Sequence, residues 1–200
     1  MIGREKRERT LDPVARKRVA IHEAGHACMA FWLQDAPSPI KVSIVPRGAS
    51  ALGFSQSQPK TRYIQTEMEV KASIAVLFGG RVAERMVLGS VSTGAADDLE
   101  RIHALSKKYF LSFGMGSRPV YHELPLEEHE HFLQHLESFV YDTLLRRKDD
   151  LITISEQLLQ HETIEHLRLD GEHSLELTPH TWPRDGKSRA TRTSCGSAGT

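Results

Sequence analysis

Apolar residues recur at helical spacing along the first part of the chain. Asp12 followed by Pro13 is typical of a helix start, because a carboxylate caps the first turn and proline fits there. The apolar positions predict that this helix continues to about Leu33. The alternation from 40 to 45 then predicts a half-buried strand. The small and amide residues from 51 to 58 predict a second strand at the edge of a sheet.

The middle of the chain is predicted to be helical. Thr66 and Glu69 have the spacing of a capping box, and helical apolar positions follow as far as a stop at Gly89. Gly79 and Gly80 within this helix indicate that another backbone packs closely there. A further helix is expected to begin near Ala95 and end at Gly114. Its predicted buried side consists of Leu99, Ile102, Leu105, Ser106, Tyr109 and Phe113.

The last periodic segment begins at Pro125. Its apolar stripe is Phe132, Leu136, Phe139 and Val140. We interpret the charged run from 146 to 150 as the solvated face of a continuing helix, which we favour over a break. A turn and one short helix capped by Thr163 are expected between 161 and 169. Together these elements predict a mainly α fold with a small β element, of the α+β class.

Composition and charge exclude several classes of protein. Hydrophobic residues make up 39% of the chain and charged residues 26%, as in globular proteins. The 26 basic residues balance the 26 acidic ones, which excludes a whole-protein attraction to nucleic acid. Two cysteines, Cys28 and Cys195, cannot form a multi-bridge framework and favour a reducing compartment. No apolar run approaches the ~18 residues that a membrane span needs, and no signal peptide is evident.

The pattern also predicts how the chain is divided. Residues 1–10 are charged and aperiodic, as in an N-terminal arm or linker remnant. Residues 11–170 carry the periodic segments and form one domain. Residues 171–200 lose periodicity and contain proline, glycine, serine and threonine, which predicts a disordered tail.

The sequence His22-Glu23-Ala24-Gly25-His26 matches the HExxH pattern inside a predicted helix. Positions i and i+4 share one helix face, so His22 and His26 can bind one zinc ion. Glu23 is rotated by about 100° from His22. Its carboxylate would therefore lie beside the ion and accept a proton from the water that attacks a peptide carbonyl.

A catalytic zinc site normally has a third protein ligand. The downstream candidates are Glu67, Glu69, Glu84, Asp97, Asp98 and His103. Asp98 precedes Ile102 and Tyr109 at roughly helical spacing, so it could point inward. However, carboxylates in a first helical turn also favour the helix dipole without any other role, and spacing alone leaves the choice open.

Four separate motifs, in one order, resemble the peptidase domain of the FtsH family of ATP-dependent zinc metalloproteases. They are His22-Glu23-Ala24-Gly25-His26-Ala27, Pro46-Arg47-Gly48 with Ala51-Leu52-Gly53-Phe54, Gly79-Gly80-Arg81-Val82-Ala83-Glu84, and Ser92-Thr93-Gly94-Ala95-Ala96-Asp97-Asp98-Leu99. The resemblance covers roughly residues 11–170. It implies one zinc ion per chain, bound by His22, His26 and Asp98, with Glu23 as the catalytic base. Where the family usually has Asn-Asp, this chain has Asp97-Asp98.

The resemblance also implies a substrate strand and an assembly. The strand formed by Leu52, Gly53, Phe54, Ser55 and Gln56 would pair with an extended polypeptide. The family forms membrane-anchored hexamers with an ATPase module. The 200 residues contain no G-x-x-x-x-G-K-[ST] motif, so a motor would come from another chain or from an upstream region. The chain is either a fragment of a longer protease or a short stand-alone relative.

The leading hypothesis is therefore a zinc metalloendopeptidase that hydrolyses unfolded polypeptides. The alternative is a non-catalytic adaptor or assembly subunit that keeps the peptidase fold. We expect a cytoplasmic or a stromal or matrix-like compartment, with membrane association only through a partner or another segment. His122, His129, His131 and His135 form a cluster that we expect to be exposed, with an accessory metal site as the alternative interpretation.

Overall fold

The computed structural model describes residues 12–46, 54–57, 64–165, 167 and 169. Its helices are α1 (Pro13–Trp32), α2 (Glu67–Leu88), α3 (Ala96–Leu111), α4 (Leu126–Arg146) and α5 (Lys148–His161). Its strands are β1 (Pro39–Ser43), β2 (Phe54–Ser57) and β3 (Thr163–Glu165). The predicted fold class, mainly α with a small β element, is confirmed. The predicted arm at 1–10 and tail at 171–200 lie outside the described residues.

Helix α1 lies at the centre of the fold. The Oδ1 atom of Asp12 accepts hydrogen bonds from the backbone nitrogens of Val14 and Ala15, both at 2.9 Å, as the predicted cap requires. All residues from 20 to 30 are buried, because α2 and α5 pack against this helix. A polar side chain on a helix that is enclosed in this way costs free energy unless it has a hydrogen-bond or charge partner.

The crossing of α1 and α2 depends on glycine. Helix α2 begins with the predicted capping box of Thr66 and Glu69 and ends at Gly89, in the left-handed conformation with φ 68°. A Cβ atom on Gly79 would lie 2.6 Å from the backbone oxygen of Gly25, which confirms the predicted close approach of two backbones. Gly80 is different, since the atoms nearest to its Cβ would belong to the imidazole rings of His22 and His26.

The strands form an antiparallel sheet in the order β2-β1-β3. Among the described strands, β2 lies at an edge, as predicted. The short helix predicted after 161 is wrong, because Thr163–Glu165 is strand β3. Glu162 adopts a left-handed φ of 61° that ends α5, and the hydroxyls of Ser43 and Thr163 then lie 2.8 Å apart across the pair.

The continuous helix favoured over the charged run 146–150 is also wrong. Helix α4 ends at Arg146 and α5 begins at Lys148, with Arg147 at φ −110° and ψ 28°. The Arg147 guanidinium lies 3.7 Å from the ring centroid of Trp32. The indole nitrogen of Trp32 donates to Asp150 at 3.1 Å. The helix therefore ends within the charged run, where two side chains of this run contact α1.

The buried side of α3 was predicted only in part. Ile102, Ser106 and Tyr109 are buried as expected, whereas Leu99 is 39% exposed and Phe113 is 43% exposed. Leu99 follows the inward-facing Asp98 and is turned about 100° away from it. Phe113 lies beyond the end of the helix, where helical spacing no longer applies. Within the described ranges, no helix is both long enough and apolar enough to cross a bilayer.

Candidate metal centre

His22 and His26 lie one turn apart on α1, and both are almost fully buried. Their Nε2 atoms are 3.0 Å apart. Gly80 of α2 lies beside them, and a Cβ atom on it would come within 2.6 Å of the Nε2 atoms of both rings. The second glycine of α2 therefore provides room for the two imidazoles, a role that the sequence analysis missed.

Asp98, in the first turn of α3, completes a group of three potential ligands. Its Oδ2 atom lies 3.1 Å from the Nε2 atom of each histidine. An ion about 2.0–2.1 Å from three such atoms at tetrahedral angles would hold them about 3.3 Å apart. The observed triangle is close to that size. Among the described residues, His22, His26 and Asp98 form the one group of three whose ligand atoms converge in this way.

The hydrogen bonds around the histidines test whether a cation fits. The Nδ1 atom of His26 donates to the backbone oxygen of Val76 at 2.7 Å, and that of His22 donates to Glu84 at 2.8 Å. Each neutral ring then has a lone pair on Nε2. Two lone pairs and a carboxylate oxygen converge, so three acceptors face one another without a donor. A metal ion or a proton satisfies this arrangement.

Glu84 lies behind His22 and fixes its ring. It is 1% exposed, and it accepts hydrogen bonds from Arg18 at 2.7 Å and from Ser92 at 3.0 Å. Burial alone would raise the pKa of Glu84, but these bonds and the one from His22 lower it below its ordinary value. From the sequence, Glu84 was one candidate for the third ligand. In the structure it instead accepts a hydrogen bond from Nδ1 of His22, the ring nitrogen that faces away from the centre. The signal that could have shown this is its position one turn after Gly80 on the same helix face.

The electrostatics of the centre favour positive charge. Burial alone would lower the pKa of His22, but the hydrogen bonds to Asp98 and Glu84 raise it to about 9. Burial alone would raise the pKa of Asp98, and the two histidines hold it well below its usual range. Both directions are those expected where carboxylates and a positive charge lie next to each other.

Glu23 lies next to His22 on α1 and is buried. Burial raises the pKa of its carboxyl above the ordinary value, although the neighbouring histidines oppose this change. Within the described parts of the chain, its carboxylate accepts no hydrogen bond. A buried carboxylate with a raised pKa beside a cation site is suited to accept and return a proton.

The other sequence candidates lie elsewhere. Glu67 accepts hydrogen bonds from Tyr109 and Lys71, and Glu69 belongs to the capping box of α2. Asp97 and His103 are exposed. Cys28 is fully buried, and burial raises the pKa of its thiol to about 12, which leaves it an inert core thiol.

The five residues expected to bind substrate are only partly described. Leu52 and Gly53 lie outside the described residues. Phe54, Ser55 and Gln56 belong to β2, whose backbone pairs with Ser43, Val42 and Lys41 in that order. Strand β2 also lies against α1, the helix that carries both histidines.

The histidine cluster from 122 to 135 divides into two parts. His122 and His131 are exposed, as expected, and His135 is half-buried. The expectation is wrong for His129, which is 8% exposed. It faces α3, where its Nε2 atom lies 2.8 Å from the hydroxyl of Ser106.

Comparisons with known proteins agree with this geometry. The model of peptidase family M41 matches residues 9–138. A protein of Rhodothermus marinus is 43% identical over 119 residues, which are 60% of this chain and 17% of the relative. A protein of Burkholderia pseudomallei is 33% identical over 227 residues, covering 99% of this chain and 34% of the relative. Both relatives are called ATP-dependent zinc metalloprotease FtsH. The chain spans about a third or less of these relatives.

Proposed function

The chain belongs to peptidase family M41, and from that membership we propose that it is a zinc metalloendopeptidase that hydrolyses unfolded polypeptides. The observation that carries the proposal is the convergence of three acceptor atoms, from His22, His26 and Asp98, beside the buried carboxyl of Glu23. The relatives named above are described as zinc metalloproteases, which supports zinc as the ion that this site binds.

The roles of the residues follow from their chemistry. His22 and His26 would bind zinc through Nε2, and Asp98 through Oδ2. Zinc in such a site lowers the pKa of a bound water toward about 7 and polarises a carbonyl. Glu23 would accept a proton from the attacking water on a carboxylate oxygen, and would then deliver it to the leaving amine. Burial raises the pKa of the Glu23 carboxyl above its ordinary value, which favours its accepting the proton.

Strand β2 supplies a place for the substrate backbone. An extended polypeptide would add to the edge of β2 that faces away from β1, an edge that none of the described strands pairs with, through main-chain hydrogen bonds over the predicted segment from Leu52 to Gln56. Main-chain recognition is tolerant of sequence and requires an extended chain. This requirement supports unfolded polypeptide as the substrate class.

Folded substrates would first have to be unfolded, and the relatives suggest how this is driven. The relatives are ATP-dependent by name, and the 200 residues here contain no G-x-x-x-x-G-K-[ST] motif. We therefore propose that ATP-driven unfolding is supplied by a module outside these residues, in the same chain or in another subunit of an oligomer. Loose chains should be cleaved without it.

Hydrolysis of unfolded, fluorophore-quenched casein tests the proposal. The Glu23→Gln protein should lose about 10²- to 10⁴-fold in rate, the usual range for a general base, while retaining zinc. Glu100→Gln, an exposed glutamate on α3, is the matched control and should leave the rate unchanged. Unchanged cleavage by Glu23→Gln would refute the assigned mechanism. Zinc binding by the wild type without any cleavage would favour the adaptor alternative.

A further inference from the structure

A second pair of histidines lies on α4, apart from the centre on α1 and α3. His131 and His135 are one turn apart on the same helix face, as His22 and His26 are. Their Nε2 atoms are 2.9 Å apart, compared with 3.0 Å in the central pair. The rings meet edge to face, with centroids 3.7 Å apart.

Two ring nitrogens at this distance suit a shared cation. In the square-planar or tetragonal geometry typical of Cu²⁺ and Ni²⁺, two nitrogens about 2.0–2.1 Å from one ion lie at about 90° and therefore about 2.9 Å apart. In neutral rings that face each other through Nε2, one nitrogen must donate and the other accept, whereas a metal ion lets both rings present a lone pair. The geometry is therefore that of a bidentate metal site formed by two histidines one helix turn apart.

The charges along α4 agree with a bound cation. Glu127 and Glu128 lie in the first turn of the helix, and Glu130 follows. The basic residue of this helix is Arg146, at its far end. Glu127 is one turn before His131, so the three side chains at 127, 131 and 135 follow one face. The local field of the helix favours a dication over an anion.

We propose that His131 and His135 form a second, surface metal site that binds a late first-row dication such as Zn²⁺, Ni²⁺ or Cu²⁺. Imidazole is a suitable ligand for these ions, and affinity for Cu²⁺ is expected to be highest. Two protein ligands leave the remaining positions to water, so this site binds more weakly than the three-ligand centre. Metal binding by His131 and His135 does not require that the chain act as a peptidase.

The test uses the whole protein with zinc already bound at the centre formed by His22, His26 and Asp98. Calorimetric titration of Ni²⁺ into the wild type should give a binding event at one ion per chain. His131→Gln and His135→Gln should each abolish that event. His122→Gln is the matched control, since His122 is exposed and lies outside α4, and it should leave the event intact.

A further variant separates this inference from the proposed function. Asp98→Asn should lower the tightly bound zinc and leave the nickel event on α4 in place. The absence of any nickel event in the wild type would overturn the proposal. The same stoichiometry in His131→Gln and wild type, or an equal loss in His122→Gln, would also overturn it.

Discussion

Each imidazole of the central pair has one nitrogen committed to a partner within the protein. The Nδ1 atom of His26 bonds to a backbone oxygen, and that of His22 bonds to the carboxylate of Glu84. These bonds fix both the orientation of each ring and the nitrogen that carries its proton. The two contacts differ in kind, because Glu84 also brings negative charge to the back of His22.

Replacement of Glu84 tests its role in positioning His22. Glu84→Gln should weaken zinc affinity by about 10- to 100-fold, the usual effect of removing a carboxylate behind a ligating histidine. Competition with a fluorescent zinc chelator measures the change. Glu84→Asp should restore part of the affinity if the charge matters.

Glu67→Gln is the control for Glu84, since Glu67 lies on the same helix and contacts Tyr109 and Lys71 instead. Its zinc affinity should equal that of the wild type. Equal affinities for Glu84→Gln and Glu67→Gln would show that Glu84 has no influence on the ion.

At the residue scale, the sequence alone indicated that His22 and His26 could bind one ion together, because their spacing places them on one helix face. Asp98 followed only from the resemblance, since first-turn aspartates are common for electrostatic reasons. Glu84 and Gly80 could not be assigned, because their roles depend on how α2 crosses α1. A local pattern does not encode that crossing.

At the scale of elements, two adjacent glycines of α2 have different neighbours. Gly79 meets the backbone of Gly25, and Gly80 meets the imidazoles of His22 and His26. One glycine lets two helices approach, and the other leaves room for the side chains that would bind the ion. The packing of α1 on α2 therefore also determines the geometry of the centre.

Alanine at these two positions should separate the two effects. Gly79→Ala should lower the free energy of unfolding even without metal, by about 1–3 kcal/mol for overpacking, because backbone must move. Gly80→Ala should mainly reduce bound zinc, because the added methyl displaces the rings. Chemical denaturation with EDTA present and zinc analysis of the native proteins measure the two quantities. Full zinc content in Gly80→Ala would contradict this account.

The elements differ in how well the sequence predicted them. Helices α1 and α2 were predicted closely because Asp12 and the Thr66–Glu69 pair are local capping signals. Strand β3 was missed because Thr163–Glu165 is extended only through pairing with β1. The break at Arg147 was missed because its cause is a contact with Trp32, more than a hundred residues away in sequence.

At the scale of the whole molecule, the centre joins helices that are distant in sequence. His22 and His26 come from α1, Asp98 comes from α3, and Glu84 of α2 lies behind them. A zinc ion bound to the folded chain would therefore stabilise the contact between α1 and α3. Folding and metal binding are linked, because the unfolded chain does not hold these groups together.

Removal of the metal should lower the unfolding temperature. A free zinc concentration 100 times the Kd adds about 2.7 kcal/mol of stability, which corresponds to about 5–10 °C for a chain of this size. Differential scanning fluorimetry with and without EDTA measures the difference. It should persist in His131→Gln, which retains the central ligands, and disappear in Asp98→Asn. An EDTA effect of the same size in Asp98→Asn would contradict the bridging role.

The most direct test of the central claim is the zinc retained per chain after exhaustive dialysis. The measurement compares the wild type with Asp98→Asn and with Asp97→Asn, its exposed neighbour in the same helical turn. The wild type and Asp97→Asn should each retain about one zinc per chain, because each keeps all three ligands of one catalytic site. Asp98→Asn should retain clearly less zinc per chain. Full retention by Asp98→Asn, or no retained zinc in the wild type, would contradict a metal centre formed by His22, His26 and Asp98.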